Sequence, residues 1–244
     1  MIVTIDNLKN TFTKLGYTWY IDRPNLIGIR TDIIVPNIFN DLFCMIWTQE
    51  SMPDGLNYTQ KQTWLKNNLF FGKDGKDLTI DGKFGNNSNY ALNTYNTSLG
   101  KERMFTWTIT TDPGTYWLNH PMNKLGCAVL KHGQYKNCWS LGFHNNKSTH
   151  PALVQTGPVT VYRDNDKNGT PNECGVEDTG YFGVNIHRSN ATGKTPTIDK
   201  WSAGCQVFQQ KIDHDKMLSI CNQYKTKVNN KFTYTLIREK EEEK

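Results

Sequence analysis

The stretch Tyr181-Phe-Gly-Val-Asn-Ile-His187, followed after a Gly/Thr/Pro-bearing loop by Trp201-Ser-Ala-Gly-Cys205, decides how this chain is read. An imidazole closes a Val/Ile-bearing strand, and 18 residues later a thiol follows a small-residue turn and opens a second apolar segment. A thiol is a weak nucleophile until it loses its proton, and a nearby imidazole can take that proton and hold the thiolate as an ion pair. The expectation is therefore a thiolate–imidazolium pair formed by Cys205 and His187. Ser202, Ala203 and Gly204 leave the backbone free to turn tightly, and their N–H groups, with that of Cys205, are expected to cradle the oxyanion of a tetrahedral intermediate. The residue types alone also permit a buried thiol at a strand start and a His that satisfies a local hydrogen bond.

Working outward, 244 residues can bury one full core, and the 36% hydrophobic and 12% aromatic content suits strands better than a disordered chain. The net charge of +5 comes from scattered basic residues, which argues against a nucleic-acid partner and mildly favours an anionic surface such as a bacterial wall. Cys44, Cys127, Cys138, Cys174, Cys205 and Cys221 show neither a CxxC pair nor regular spacing, so neither a disulfide framework nor a zinc site is expected. No apolar run reaches the ~18 residues of a membrane helix, and the N-terminus lacks a basic segment followed by an apolar one, so membrane insertion and an export signal are not expected. The closing Arg238-Glu-Lys-Glu-Glu-Glu-Lys244 reads as a solvated, frayed tail.

Ile5, Leu8, Phe12 and Leu15 form one helical stripe, with Thr4 as cap and Gly16 as stop. Strands are expected at Leu26–Arg30, Asp41–Trp47, Met104–Ile109, Gly126–Leu130, Asn137–Leu141, Gly157–Tyr162 and Phe232–Ile237, with a helix over Asp213–Tyr224. Residues 51–101 read as a loop-rich insertion holding one amphipathic helix at Thr59–Phe70, with Asn86–Asn96 offering little to bury. The chain is expected to be one mainly β domain, a β-sandwich or open barrel with a few short peripheral helices. Asp164-Asn-Asp166-Lys-Asn168-Gly169 matches the first half of an EF-hand loop, but Gly175 stands where the bidentate Glu belongs, and a turn between strands is the expected reading.

The spacing of His187 to Cys205, the Ser202-x-Gly204-Cys205 turn and the upstream Thr110–Gly114 turn together resemble the L,D-transpeptidase (YkuD-type) catalytic domain family. The resemblance spans about residues 26–237, and its specific part is His187 with Ser202 to Cys205. It implies that Cys205 is the nucleophile and His187 the general base, with Ser202, Ala203 and Gly204 forming the oxyanion turn. It implies acyl transfer through a thioester on peptidoglycan stem peptides, with no cofactor and no metal. The family's second His, just before the Gly-Cys pair, is Ala203 here, and its usual Asn or Arg two residues after the Cys is Val207. His144 and Arg188 are the expected stand-ins, and Trp201 is a further expected substrate contact. The residue pattern leaves open whether a backbone carbonyl or Ser189 orients His187. The Trp-Ser-Ala-Gly-Cys-Gln form of the turn looks like that of phage-encoded relatives, for which delivery to the cell wall by a lysis apparatus or a virion, and cleavage rather than cross-linking, is expected. Cross-linking L,D-transpeptidation and a non-catalytic wall-binding or virion module on the same fold are the alternatives.

Overall fold

The computed structural model describes residues 3–173 and 175–242 of the chain. Along the chain run α1 (Ile5–Leu15), β1 (Asn25–Arg30), β2 (Asp41–Thr48), α2 (Tyr58–Asn67), α3 (Asn86–Ser98), β3 (Glu102–Thr110) and α4 (Thr115–Asn119). Then follow β4 (Cys127–Leu130), β5 (Gly133–Phe143), β6 (Pro151–Gln155), β7 (Val159–Asp164), β8 (Val176–Gly180), β9 (Ile186–Arg188), β10 (Gln206–Phe208), α5 (Lys211–Tyr224), β11 (Phe232–Arg238) and α6 (Glu239–Glu242). Eight strands close a barrel in the order β1-β11-β5-β6-β9-β10-β3-β2, and β4-β7-β8 form a separate three-stranded sheet. The mainly β reading holds, but the barrel is closed rather than open.

Period-two side-chain alternation explains why β1 is buried along its whole length. Leu26 joins Phe43, Trp107, Trp139, Ile186, Phe208 and Tyr234 in the main cluster, whereas Ile27 and Ile29 join Cys44, Ile46 and Ile237 on the other face. That second face is covered by α1, which buries Leu8 and Phe12 against it. The helix begins where Thr4 Oγ1 accepts the Asn7 N–H and ends at Gly16, whose φ of 68° terminates it in the left-handed conformation. Helix α5 adds Met217, Leu218, Ile220, Cys221 and Tyr224 to the main cluster.

Three expectations change. Asn86–Asn96 lies within the helix α3, because Ser88, Ala91 and Tyr95 recur at helical spacing and pack with Leu65, Phe70 and Leu78 in a small core of their own. Residues 51–101 thus hold two helices rather than one, joined by loops and packed on a small core. The tail is not frayed at its start: Arg238 ends β11 and pairs with Glu173, and Glu239 accepts hydrogen bonds from Thr31 Oγ1 and the Asp32 N–H. Residues 243 and 244 of that expected tail lie outside the described residues, as does Cys174. The other five cysteines are free and buried.

A buried polar network fixes the turn after β3. Asp41 accepts the Thr111 N–H at 2.7 Å and the Thr111 hydroxyl at 2.8 Å, while Arg30 donates to Thr111 Oγ1 at 2.8 Å and pairs with Asp112 at 3.2 Å. This anchors residues 111–114 for contact with the thiol turn.

Candidate active site

Strands β9 and β10 run parallel, with His187 opposite Val207 and Ile186 opposite Gln206. His187 therefore shares a face with Val207 and with Cys205, which precedes β10, while Ile186 and Phe208 face the main core. A ring nitrogen of His187, a ring nitrogen of His144 and the Sγ of Cys205 lie within 4.8 Å of one another. Two residues 18 apart in sequence, and a third more than 40 residues upstream of His187, meet at one point.

Hydrogen bonds define the proton positions. His187 Nδ1–H donates to the Arg188 carbonyl at 2.7 Å, which leaves the lone pair on Nε2, and among the described residues nothing bonds to that buried atom. Of the two candidates for orienting His187, the backbone carbonyl holds that place; Ser189 bonds instead to Thr195 Oγ1 and the Gln209 carbonyl. Asn185 Oδ1 accepts the Gln155 N–H, which fixes the amide so that its Nδ2 donates to His144 Nδ1 at 3.1 Å. The His144 ring stacks on His187 with centroids 4.0 Å apart. His150 joins edge-on, 4.9 Å from His144, and also bonds to the Arg188 carbonyl.

The thiol turn is braced on three sides. Ser202 Oγ donates to the Cys205 carbonyl at 2.8 Å and accepts the Gly204 N–H at 3.2 Å, while the Ser202 carbonyl accepts the Gly114 N–H at 2.9 Å. Gly114 is required by this contact, since a Cβ there would fall 1.9 Å from the Asp199 oxygen. Gly204 has φ +121° and a Cβ on it would meet the Ala128 carbonyl at 2.5 Å, so no side chain fits. The Gly204 N–H is thus consumed by Ser202, whereas the N–H groups of Ser202, Ala203 and Cys205 have no partner among the described residues and are the donors left for a substrate oxygen. The Ser202 hydroxyl and Gly204 shape the turn.

Electrostatics correct the expected ion pair. Cys205 is 9% exposed, its S–H donates to the Gly183 carbonyl at 3.4 Å, and burial pushes its pKa up to about 11. Burial, reinforced by His144, holds the His187 pKa well below 6.5, and burial takes His144 down to about 4. The resting pair is a neutral thiol beside a neutral imidazole, because neither charged form is adequately solvated here.

Ala203 lines a cavity of about 310 Å³ together with Trp117, Met122, Cys127, Tyr181 and Phe182. Tyr181 and Phe182 lead into Gly183, so the cavity adjoins the thiol. A larger cavity of about 460 Å³ surrounds Arg30, Asp112, Glu173 and Arg238, whose charges pair with one another, and none of the His–Cys cluster lines it. None of His144, His187 and Cys205 lines the smaller cavity either; Ala203, two residues before Cys205, and Phe182, next to the Gly183 whose carbonyl accepts the thiol, place it closer to the turn.

Of the expected substrate contacts, His144 is in the cluster. Arg188 is not available: it is 7% exposed, lies on the opposite face from His187, and donates to the Ser189 and Thr149 carbonyls. Trp201 is exposed and lies outside the cavity wall. Asn185, His150 and the Gly183 carbonyl are additions that residue order did not reveal. The pair His144/His150 was readable in part, since both flank the β5–β6 connection, where the His144 N–H donates to the His150 carbonyl.

Three ligand-type atoms in one cluster also raise the question of a metal. The His144 Nδ1 lone pair is engaged by Asn185, so a metal bound there would have to displace that bond or strip the Nε2 proton. The donor set suits proton transfer better.

No protein-family model, curated protein or solved structure matches this chain. Among the described residues no helix is long and apolar enough to cross a membrane.

Proposed function

We propose that this chain is a cysteine-dependent acyl-transfer enzyme that hydrolyses peptidoglycan stem peptides, on a barrel of the L,D-transpeptidase type. The observation that carries the reading is the convergence of Cys205 Sγ with the His187 ring; Ala203 of the same turn lines a cavity walled by aromatic residues. The substrate class rests on the resemblance of the Ser202–Cys205 turn, His187 and the Thr110–Gly114 turn, of which the first and last are hydrogen-bonded neighbours through Gly114 and Ser202.

As a scissile carbonyl enters, His187 Nε2 takes the Cys205 proton while sulfur forms a bond to the carbonyl carbon. Proton transfer accompanies attack because the free thiolate is disfavoured in this setting. The oxyanion accepts the Cys205 N–H, and the tetrahedral species collapses as the imidazolium returns its proton to the leaving amine. Water then enters, gives a proton to His187 and attacks the thioester, releasing the acid and the thiol. His144, stacked on His187, excludes bulk water from one ring face. No metal or organic cofactor takes part in these steps. Action at a bacterial wall, with delivery by a phage lysis apparatus or virion, completes the proposal.

The test is incubation of the purified chain with defined muropeptides, read by mass spectrometry, beside Cys205→Ala. Two fragments whose masses sum to the substrate plus one water, absent in the variant, are expected. Cross-linked products would assign transpeptidation, and binding without any product would assign a wall-binding module.

A further inference from the structure

The loop joining β7 to β8 carries a second constellation, on the sheet that backs the thiol turn. Asp164 ends β7 and is 2% exposed, yet its Oδ2 is buried and no protein donor reaches it. Its other oxygen accepts the Asp166 N–H at 3.4 Å, so the carboxylate is turned into the loop. There it meets the Asp166 carboxylate, and the Asn172 N–H also reaches the Asp164 carboxylate. Asp166 is held by the Asn168 N–H and by the side-chain amides of Asn168 and Asn172, but among the described residues no ion pair neutralises the two carboxylates: Arg163 pairs with Asp178, and Arg30 and Arg238 are taken by Glu173.

We propose that this loop binds a calcium ion through Asp164, Asp166, the Asn168 side chain and the Thr170 carbonyl. Those residues occupy the first, third, fifth and seventh places of a calcium loop, with Gly169 at the sixth, where its φ of 77° makes the sharp turn. Hard oxygen donors without nitrogen or sulfur select calcium over transition metals. The bidentate Glu of the twelfth place is missing, and Glu173 is committed to its two arginines, so water completes the shell and affinity falls in the weaker range of such sites, about 10⁻⁵ to 10⁻³ M.

The position ties the ion to the thiol. Asp164 is the ladder partner of Cys127, whose S–H points to the Ala203 carbonyl at 3.9 Å. On the other side, the Gly169 carbonyl accepts the Thr115 hydroxyl at 3.5 Å, in the helix that follows Gly114. Both neighbours of the thiol turn are thus reached from this loop, and the ion would stiffen the wall of the 310 Å³ cavity.

The experiment is thermal unfolding and calorimetric titration of the full chain after chelation, with calcium chloride, magnesium chloride and no divalent ion, for wild type and Asp166→Asn. Asp166 is exposed, so its variant is expected to fold, and circular dichroism checks that it does. A saturable rise of about 5 °C or more at 100-fold excess over Kd is expected with calcium in wild type, with at least a tenfold weaker response in the variant. An unchanged midpoint and no binding heat up to 10 mM or so calcium would overturn the proposal. An equal response in the variant would also overturn it. Neither readout depends on the peptidase reading.

Discussion

His187 gives its Nδ1 proton to the carbonyl of Arg188, the next residue along β9, at 2.7 Å. The imidazole proposed as the base is therefore oriented by strand backbone, and Ser189, the polar neighbour, is engaged elsewhere. Ser189→Ala should cost about 1 kcal/mol of stability and leave the acylation rate within about threefold of wild type. His187→Asn should lower that rate by about 10²- to 10⁴-fold at unchanged fold, and Cys205→Ala should abolish it. Single-turnover kinetics on a stem peptide, with unfolding curves for each variant, check the contrast; a Ser189→Ala rate as low as that of His187→Asn would refute the carbonyl assignment.

Burial sets the direction of thiol reactivity. With the Cys205 pKa pushed up to about 11, little thiolate exists near neutrality, and alkylation by iodoacetamide should climb steadily through pH 9 and beyond. Its rate at pH 7 should fall below that of a free cysteine at the same pH. Mass-resolved alkylation across pH 5 to 10 or so decides it. A plateau already reached below pH 7 would show the ion pair, and with it a different order of proton transfer.

Much of this architecture is legible in residue order because local and global signals agree. Helix α1 shows its stripe, cap and stop, and β1, β2 and β11 show β-branched or aromatic runs between turn residues. Helix α3 escaped because an Asn-rich segment has weak intrinsic preference, and its few apolar groups find partners only once α2 is beside them. Barrel closure escaped because it depends on β9 and β10, three residues each, too short for periodicity to register. At the site, His187 and Cys205 are visible through their spacing, but the protonation of the pair is not. That depends on how Gly183, Asn185 and the β5–β6 connection shut out water around them. Arg188 misled for a related reason: strand alternation turns it away from its neighbour.

Gly204 offers a test of the turn that spares every reacting group. A methyl there faces the Ala128 carbonyl at 2.5 Å and a φ of +121° that L-residues avoid. Gly204→Ala should destabilise the fold by about 2 kcal/mol or more and reduce acylation by more than tenfold, as Cys205 moves relative to His187. Denaturant titration and single-turnover rates measure the two. A neutral substitution would mean that the turn is not pinned against β4.

The His144–His187–Cys205 cluster should also sense zinc. Zinc that captures the sulfur and His187 Nε2 removes nucleophile and base together, so micromolar zinc should inhibit reversibly. Phenanthroline, which leaves calcium alone, should restore activity and should not inhibit the zinc-free chain. Loss of activity on phenanthroline alone would instead make the cluster a metal centre.

The same burial that keeps the imidazoles neutral fixes how stability responds to acid. His187 and His214 are buried, with the first held well below 6.5 and the second at about 3. In the unfolded chain both take protons near pH 6.5, so the unfolded state binds more protons below that value, and the stability present above pH 6.5 is lost as pH falls toward the folded values. At pH 5 His214 contributes a loss of about 2 kcal/mol relative to pH 7, and His187 and His144, the latter at about 4, act in the same sense. Asp112, raised to about 6 by burial, acts in the opposite sense, because its folded form gains a proton first, and offsets about 1 kcal/mol. Asp41, raised in the same direction, adds to the offset. The histidines win: unfolding free energy should drop by on the order of 2 kcal/mol between pH 7 and pH 5. Urea midpoints across that range test the sign, and a midpoint that rises on acidification would place the aspartates, not the imidazoles, in control.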